Sequence, residues 1–130
     1  MQKLVIDGGR TLCGEIAVQG AKNSALPILA AAYLAGGEVT VHNVPAISDT
    51  YSAMRILTSL GCRVISEGST AVVNSDDADG CEISEQLMRE MCSSVIFLGA
   101  VLGRSGKCIL SYPGGCELGP RPIDFHISAL

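Results

Sequence analysis

Residues 23–49 read NSALPILAAAYLAGGEVTVHNVPAISD. From Asn23 to Leu34 the run is apolar almost all round, the pattern of a buried helix. Ser24 can cap this helix, which would put Pro27 in the first turn, where a backbone N–H has no helical partner to lose. Gly36-Gly37 stops it, and EVTVHN (38–43) follows as a strand. Ser48 can cap a second helix. Its apolar residues Ala53, Ile56, Leu57 and Leu60 fall at i, i+3, i+4 and i+7, and Gly61 ends it. CRVIS (62–66) and TAVVN (70–74) then read as a hairpin around Glu67-Gly68-Ser69. Upstream, KLVI (3–6) and EIAVQ (15–19) read as strands.

Downstream the order repeats. Ser84 can cap a helix running to about Arg104, Gly106 ends it, KCILSY (107–112) is a strand, and a further helix begins near Asp124. At an offset of 69, Ser24 falls on Ser93, Leu29 on Leu98, Ala31 on Ala100 and Gly37 on Gly106. Past the loop the offset is 75, with Asp49 falling on Asp124. This is an internal repeat of about 70 residues, helix–strand–helix–hairpin. The second copy carries six extra residues in its strand-to-helix loop, within PGGCELGPR (113–121). Extra loop length costs only ~0.6 kcal/mol per doubling, and extended loops on rigid repeats are where function tends to sit. By the measure of the first copy, the last helix should run about twelve residues and lead into a hairpin. The second copy is therefore expected to be unfinished, and the chain to be part of a longer protein.

Composition narrows the function classes. The chain has 130 residues, 48% apolar and 17% charged, which reads as globular. Nine Lys and Arg against thirteen Asp and Glu give a net charge of −4, with no basic stripe to support a nucleic-acid role. The apolar runs Ala25–Ala35 and Val95–Gly103 fall short of the ~20 residues of a membrane span. MQKLVIDGG at the start has no secretory apolar region, so a cytoplasmic protein is expected. The six cysteines are then expected as thiols, and their spacing, with two distant histidines, does not suit a zinc site. No metal and no cofactor is expected. GxGxxG does not occur, and Gly106-Lys107 lacks the residues of a P-loop.

Two places carry chemistry. In the loop Pro113-Gly114-Gly115-Cys116-Glu117-Leu118-Gly119-Pro120-Arg121-Pro122, three glycines permit close backbone approach to a ligand. Cys116 stands mid-loop, with Arg121 and a helix N-terminus nearby in sequence to favour its thiolate. A tight turn with an incidental cysteine accounts for the same residues. Gly20-Ala21-Lys22-Asn23 joins a strand to a helix N-terminus, a place that suits phosphate or carboxylate. Ordinary capping by Asn23 or Ser24 with a solvated lysine is the simpler account there. Asp49 and Asp124 begin equivalent helices; dipole stabilisation explains Asp49, while Asp124 is more open to a role. His126 and the methionines 88 and 91 are read as structural.

GAKNSALPILAAAYLAGGEVTVHNVP (20–45) and YPGGCELGPRPIDFHISAL (112–130) together resemble the UDP-N-acetylglucosamine 1-carboxyvinyltransferases, an enolpyruvyl transferase family. The resemblance covers the whole chain. It implies an α/β fold of βαβαββ-type repeats forming an inside-out α/β barrel, here incomplete at about two units. Residues 1–20 would be a strand segment of a second, missing domain. Residues 21–130 would be a partial catalytic domain, with a first repeat over 21–78 and a truncated second over 79–130.

The implied reaction moves the enolpyruvyl group of phosphoenolpyruvate onto the 3′-hydroxyl of UDP-N-acetylglucosamine, through a tetrahedral ketal and with release of phosphate. By resemblance, Lys22 and Asn23 hold phosphoenolpyruvate, and Cys116 is the proton donor and the thiol that fosfomycin alkylates. Cys92, Arg121, Pro122, Ile123, Asp124 and Phe125 line the UDP-sugar site. Cys92 departs from the family, which usually has arginine there; a cysteine supplies neither its charge nor its fork of donors. Arg89, earlier on the same expected helix, is the available substitute. The family's base lies outside this chain, so the expected partner is the remainder of the enzyme, and the chain should not turn over alone. A short non-catalytic binding chain and a thiol sensor acting through Cys116 are the alternatives.

Overall fold

The computed structural model describes residues 3–112 and 122–130. Residues 3–21 form neither helix nor strand. KLVI and EIAVQ therefore do not become strands here, although Leu4, Val5, Ile6, Leu12, Ile16 and Val18 are all at least 70% exposed. The physical reason is pairing: a strand needs a neighbour to take up its N–H and C=O groups. None of the described strands pairs with this segment.

Helix α1 spans Lys22–Ala35. It begins earlier than the sequence suggests, with Ala21 at the N-cap and Ser24 inside the first turn. The Ala21 carbonyl accepts from the N–H groups of Ser24 and Ala25, so no side-chain cap is used. Pro27 consequently lies one turn further in than expected, where it cannot donate to the Asn23 carbonyl. The helix is also less buried than its composition implies. Ala25, Leu26, Leu29, Ala30, Ala32 and Tyr33 face the core, whereas Ile28 and Leu34 are about half exposed. Gly36, at φ +64°, supplies the left-handed cap that ends it.

Strand β1 is Glu38–Val41, helix α2 is Ser48–Ser59, and β2 (Arg63–Glu67) and β3 (Thr70–Asn74) form the expected hairpin. Here too the cap shifts by one: Ile47 is the N-cap and Ser48 the first helical residue. Thr50 serves the helix start instead, accepting from the Ile47 N–H and donating to the Pro45 carbonyl at 2.7 Å. The three strands make an antiparallel sheet in the order β1-β3-β2, with Glu38 and Arg63 both opposite Asn74. Helices α1 and α2 share one continuous core with this sheet, joining Leu26, Leu29, Ile56 and Leu57 to Val41, Ala71 and Val73.

The second unit opens with a strand the sequence did not reveal, β4 (Glu82–Ile83). Two residues are too few for periodicity to register. The helix expected over 84–104 is broken in two, α3 (Glu85–Glu90) and α4 (Ile96–Ser105). Ser84 caps α3 as expected, accepting from the Leu87 N–H. The break falls at Met91, whose backbone is extended. Ser94 causes the local competition: its buried hydroxyl donates to the Met88 carbonyl at 3.0 Å, an alternative to helical continuation. Strand β5 (Ile109–Leu110) pairs in parallel with β4, and α5 spans Asp124–Ala129.

Arg104 of α4 reaches back to α1 and to the segment after β3. Its guanidinium donates to the carbonyls of Ala78 and Tyr33, each at 2.9 Å, and to that of Ser75. It also lies 5.1 Å from the centre of the Tyr33 ring. The Tyr33 hydroxyl donates to the Gly80 carbonyl at 2.7 Å. Gly80 must be glycine-like in size here, because a Cβ would stand 2.7 Å from the Leu60 backbone. No helix among the described residues is long and apolar enough to cross a membrane.

Candidate functional site

The first candidate cluster is the turn before α1. Asn43, just after β1, has a φ of +57°, and its Oδ1 accepts the Gly20 N–H at 3.1 Å. Its carbonyl comes so close to Gly20 that an added Cβ would stand 1.8 Å away. Only glycine lets these two turns approach this closely. Two residues on, Lys22 Nζ meets Asp49 Oδ2 at 3.0 Å. Lys22 thus occupies the first position of α1, Asn23 the second, and Asp49 the first turn of α2. A hollow of about 190 Å³ lies beside them, lined by Gly20, Ala21, Ser24, Val41, Asn43 and Val44 among others. Chemically this is a cation at a helix N-terminus, held from across the fold by one carboxylate. The arrangement suits an anion. The Lys22–Asp49 pair was not legible in the sequence, where the two residues stand 27 apart; the aspartate offered only its place in a first helical turn.

The second cluster lies on the second unit. Cys92 is half-exposed in the link between α3 and α4. Arg89 pairs with Glu85 on the exposed face of α3, which occupies the cation that could have stood in for arginine at 92. Glu90 is held by Arg55 at 2.7 Å and by Ser52 at 3.1 Å, tying α3 to α2. Pro122 is exposed, Ile123 is buried, Asp124 is exposed in the first turn of α5, and Phe125 is 91% exposed. An apolar hollow of about 370 Å³ separates α5 from the start of α4, with Val95, Ile96, Leu98 and His126 on its walls. Met88 and Met91 are fully buried core residues, as the sequence suggested. Cys116 and Arg121 lie outside the described residues.

The two clusters belong to helices that meet at their far ends. The Tyr33 hydroxyl of α1 lies 3.1 Å from the Ser105 hydroxyl of α4. Among the described residues, no hydrogen bond joins Lys22 or Asn23 to Cys92 or to residues 122–125. Of the thiols, burial pushes Cys62 up, partly offset by Arg104, and burial together with Cys81 pushes Cys108 up.

Comparison with known proteins places this geometry. The family described as EPSP synthase (3-phosphoshikimate 1-carboxyvinyltransferase) matches residues 6–130. UDP-N-acetylglucosamine 1-carboxyvinyltransferase 2 of Caldanaerobacter subterraneus subsp. tengcongensis is 46% identical over 130 residues, covering 100% of this chain and 31% of that relative. UDP-N-acetylglucosamine 1-carboxyvinyltransferase 1 of Symbiobacterium thermophilum is 47% identical over 134 residues, covering 99% of this chain and 30% of that relative. The crystal structure of the enolpyruvyl transferase NikO from Streptomyces tendae superimposes with a TM-score of 0.69 at 29% identity, over 76% of this chain and 23% of that one. The chain spans about a third of the length of the curated relatives it matches. The repeated helix–strand units fit part of an inside-out α/β barrel, as the sequence led one to expect. With the family match running over almost the entire chain and the fold agreeing with it, the chain belongs to the EPSP synthase family of enolpyruvyl transferases.

Proposed function

We propose that this chain is the N-terminal part of an enzyme that transfers the enolpyruvyl group of phosphoenolpyruvate to the 3′-hydroxyl of UDP-N-acetylglucosamine. The observation that carries the reading is 46% identity, over the whole chain, to a relative bearing that name. The proposed setting is the cytoplasm, where the product would feed peptidoglycan precursor synthesis. In the proposed domain plan, 1–20 pairs with the other domain and 21–130 carries the first repeat and part of the second.

The reaction makes definite demands. The acceptor hydroxyl adds to the central carbon of phosphoenolpyruvate while its methylene carbon takes a proton. Loss of phosphate and of a proton from the methyl group so formed then gives the enol ether. Addition needs an acid at the methylene carbon, a base at the hydroxyl, and cations for the phosphate and carboxylate. In this reading Lys22 and Asn23 hold phosphoenolpyruvate, and the ion pair with Asp49 sets the reach of the lysine. Cys116 gives the proton. Arg121 faces the UDP phosphates, with Cys92, Pro122, Ile123, Asp124 and Phe125 beside it. The base and further cations would come from the rest of the enzyme, so the 130-residue chain alone is expected to release no phosphate.

The test is a chimera in which the Caldanaerobacter relative supplies everything beyond the aligned third. Phosphate release that requires both phosphoenolpyruvate and UDP-N-acetylglucosamine is expected. A folded chimera that releases none overturns the reading. Cys92 gives a sharper check in the same protein. One charge-assisted hydrogen bond is worth ~1.5–3 kcal/mol, so Cys92→Arg should lower the KM for the UDP-sugar by roughly tenfold or more. An unchanged KM would show that position 92 does not meet the sugar nucleotide.

A further inference from the structure

We propose that Cys81 and Cys108 are a redox-modification site, a dithiol that closes to a disulfide across β4 and β5 when the protein meets a low-molecular-weight disulfide. Register brings the two cysteines together. Glu82 lies opposite Ile109 and Ile83 opposite Leu110 in a parallel ladder. The Ile109 N–H donates to the Cys81 carbonyl at 2.7 Å, the bond that opens the Glu82–Ile109 pair, so the residues just before that pair stand at the mouth of the ladder. Those residues are Cys81 and Cys108, one on each strand.

Alternation then puts both thiols on one side. Ile83 is buried and Leu110 half-buried, Glu82 and Ile109 are exposed, and both cysteines pack against the core with Ile83 and Leu110. Two in-register residues on neighbouring strands stand about 4.8 Å apart at their backbones. A disulfide accepts Cα separations of ~4.4–6.8 Å, with the Cβ atoms some 3.8 Å apart. The strands need therefore close by only about an ångström at the Cβ atoms, and they do so at the open end of a two-residue ladder, where little else must move. That Cys81, after burial, helps push the Cys108 thiol up agrees with their proximity. Both are only half-buried, so a small reagent can reach them.

The chemistry balances without a metal. One thiolate attacks the reagent disulfide RSSR, forming a mixed disulfide and releasing RS⁻. The second thiolate attacks the protein sulfur of that mixed disulfide, forms the Cys81–Cys108 bond and releases the second RS⁻. Two protein thiols are oxidised, one reagent disulfide is reduced to two thiols, and the two protons leave with them. The bond would tie the strand entering α3 to the strand that runs toward the Pro113–Arg121 stretch.

The experiment treats the 130-residue chain with glutathione disulfide and weighs the intact product. A loss of two hydrogens, reversed by dithiothreitol, is expected. Remaining thiols are alkylated, the disulfide is reduced, and the freed thiols are alkylated with a heavy-isotope reagent. Fragmentation should locate the heavy label on Cys81 and Cys108. The mass loss should vanish in Cys81→Ser and in Cys108→Ser and persist in Cys92→Ser. Heavy label on any other pair, or glutathione adducts with no loss of hydrogens, would overturn the proposal. The labelling reads the unmodified sequence, so it decides the matter even if a serine variant fails to fold.

Discussion

Replacing Arg104 by alanine should cost the chain about 3 kcal/mol of stability. Four carbonyls, those of Tyr33, Ser75, Asp76 and Ala78, lose their guanidinium donor at once. These carbonyls belong to α1 and to the segment linking β3 to β4, so the loss falls on the seam between the two repeat units. The Tyr33 ring also loses the cation beside it. Hydrogen bonds to a charged donor are worth ~1.5–3 kcal/mol each, but those made by one group do not add. Arg104→Lys should recover less than half of the loss, because a single ammonium cannot reach four carbonyls set around a planar fork. Urea unfolding followed by far-ultraviolet circular dichroism measures both variants. An Arg104→Ala midpoint within error of the parent would show that core packing alone joins the units.

The second large effect concerns activity. Lys22→Ala in the chimera should lower kcat/KM for phosphoenolpyruvate by roughly 10²–10³-fold, the usual effect of removing one preorganised donor from developing charge. Asp49→Asn provides the contrast. It removes the charge that holds Lys22 at 3.0 Å but leaves the ammonium in place. A smaller loss is expected, carried mainly by KM, since positioning is disturbed while the cation remains. Equal losses in the two variants would mean that the pair is structural and that Lys22 does not touch substrate.

Much of this fold is visible in the sequence because local chemistry and tertiary packing agree. Gly36 and Gly106 end their helices in the left-handed conformation, and Gly68 turns the β2–β3 hairpin, each where glycine punctuation suggests. Departures arise where a distant partner decides the outcome. Ser24 and Ser48 are good caps in isolation, yet each helix starts at a residue fixed by the Gly20–Asn43 and Thr50–Pro45 contacts. KLVI and EIAVQ have strand composition, but composition supplies no neighbour to hydrogen-bond. The break at Met91 depends on one serine hydroxyl reaching back to Met88, which helical periodicity does not register.

The candidate site shows the same division. Lys22 at a helix N-terminus is evident from GAKN, whereas its partner Asp49 becomes apparent only once β1 has brought the two turns together. Arg104 is the extreme case. It reads as an ordinary basic residue in the last turn of a helix, and its acceptors are carbonyls, which sequence does not distinguish from any others.

The proposed function turns on the identity of the acceptor. The family is described by a 3-phosphoshikimate transferase, whereas the relatives that align over the whole chain are named for UDP-N-acetylglucosamine. The deciding measurement offers the chimera phosphoenolpyruvate with both acceptors at equal concentration and identifies the product by mass spectrometry. The enolpyruvyl group is expected on UDP-N-acetylglucosamine alone. An enolpyruvyl shikimate phosphate, or no transfer by a folded chimera, would contradict it.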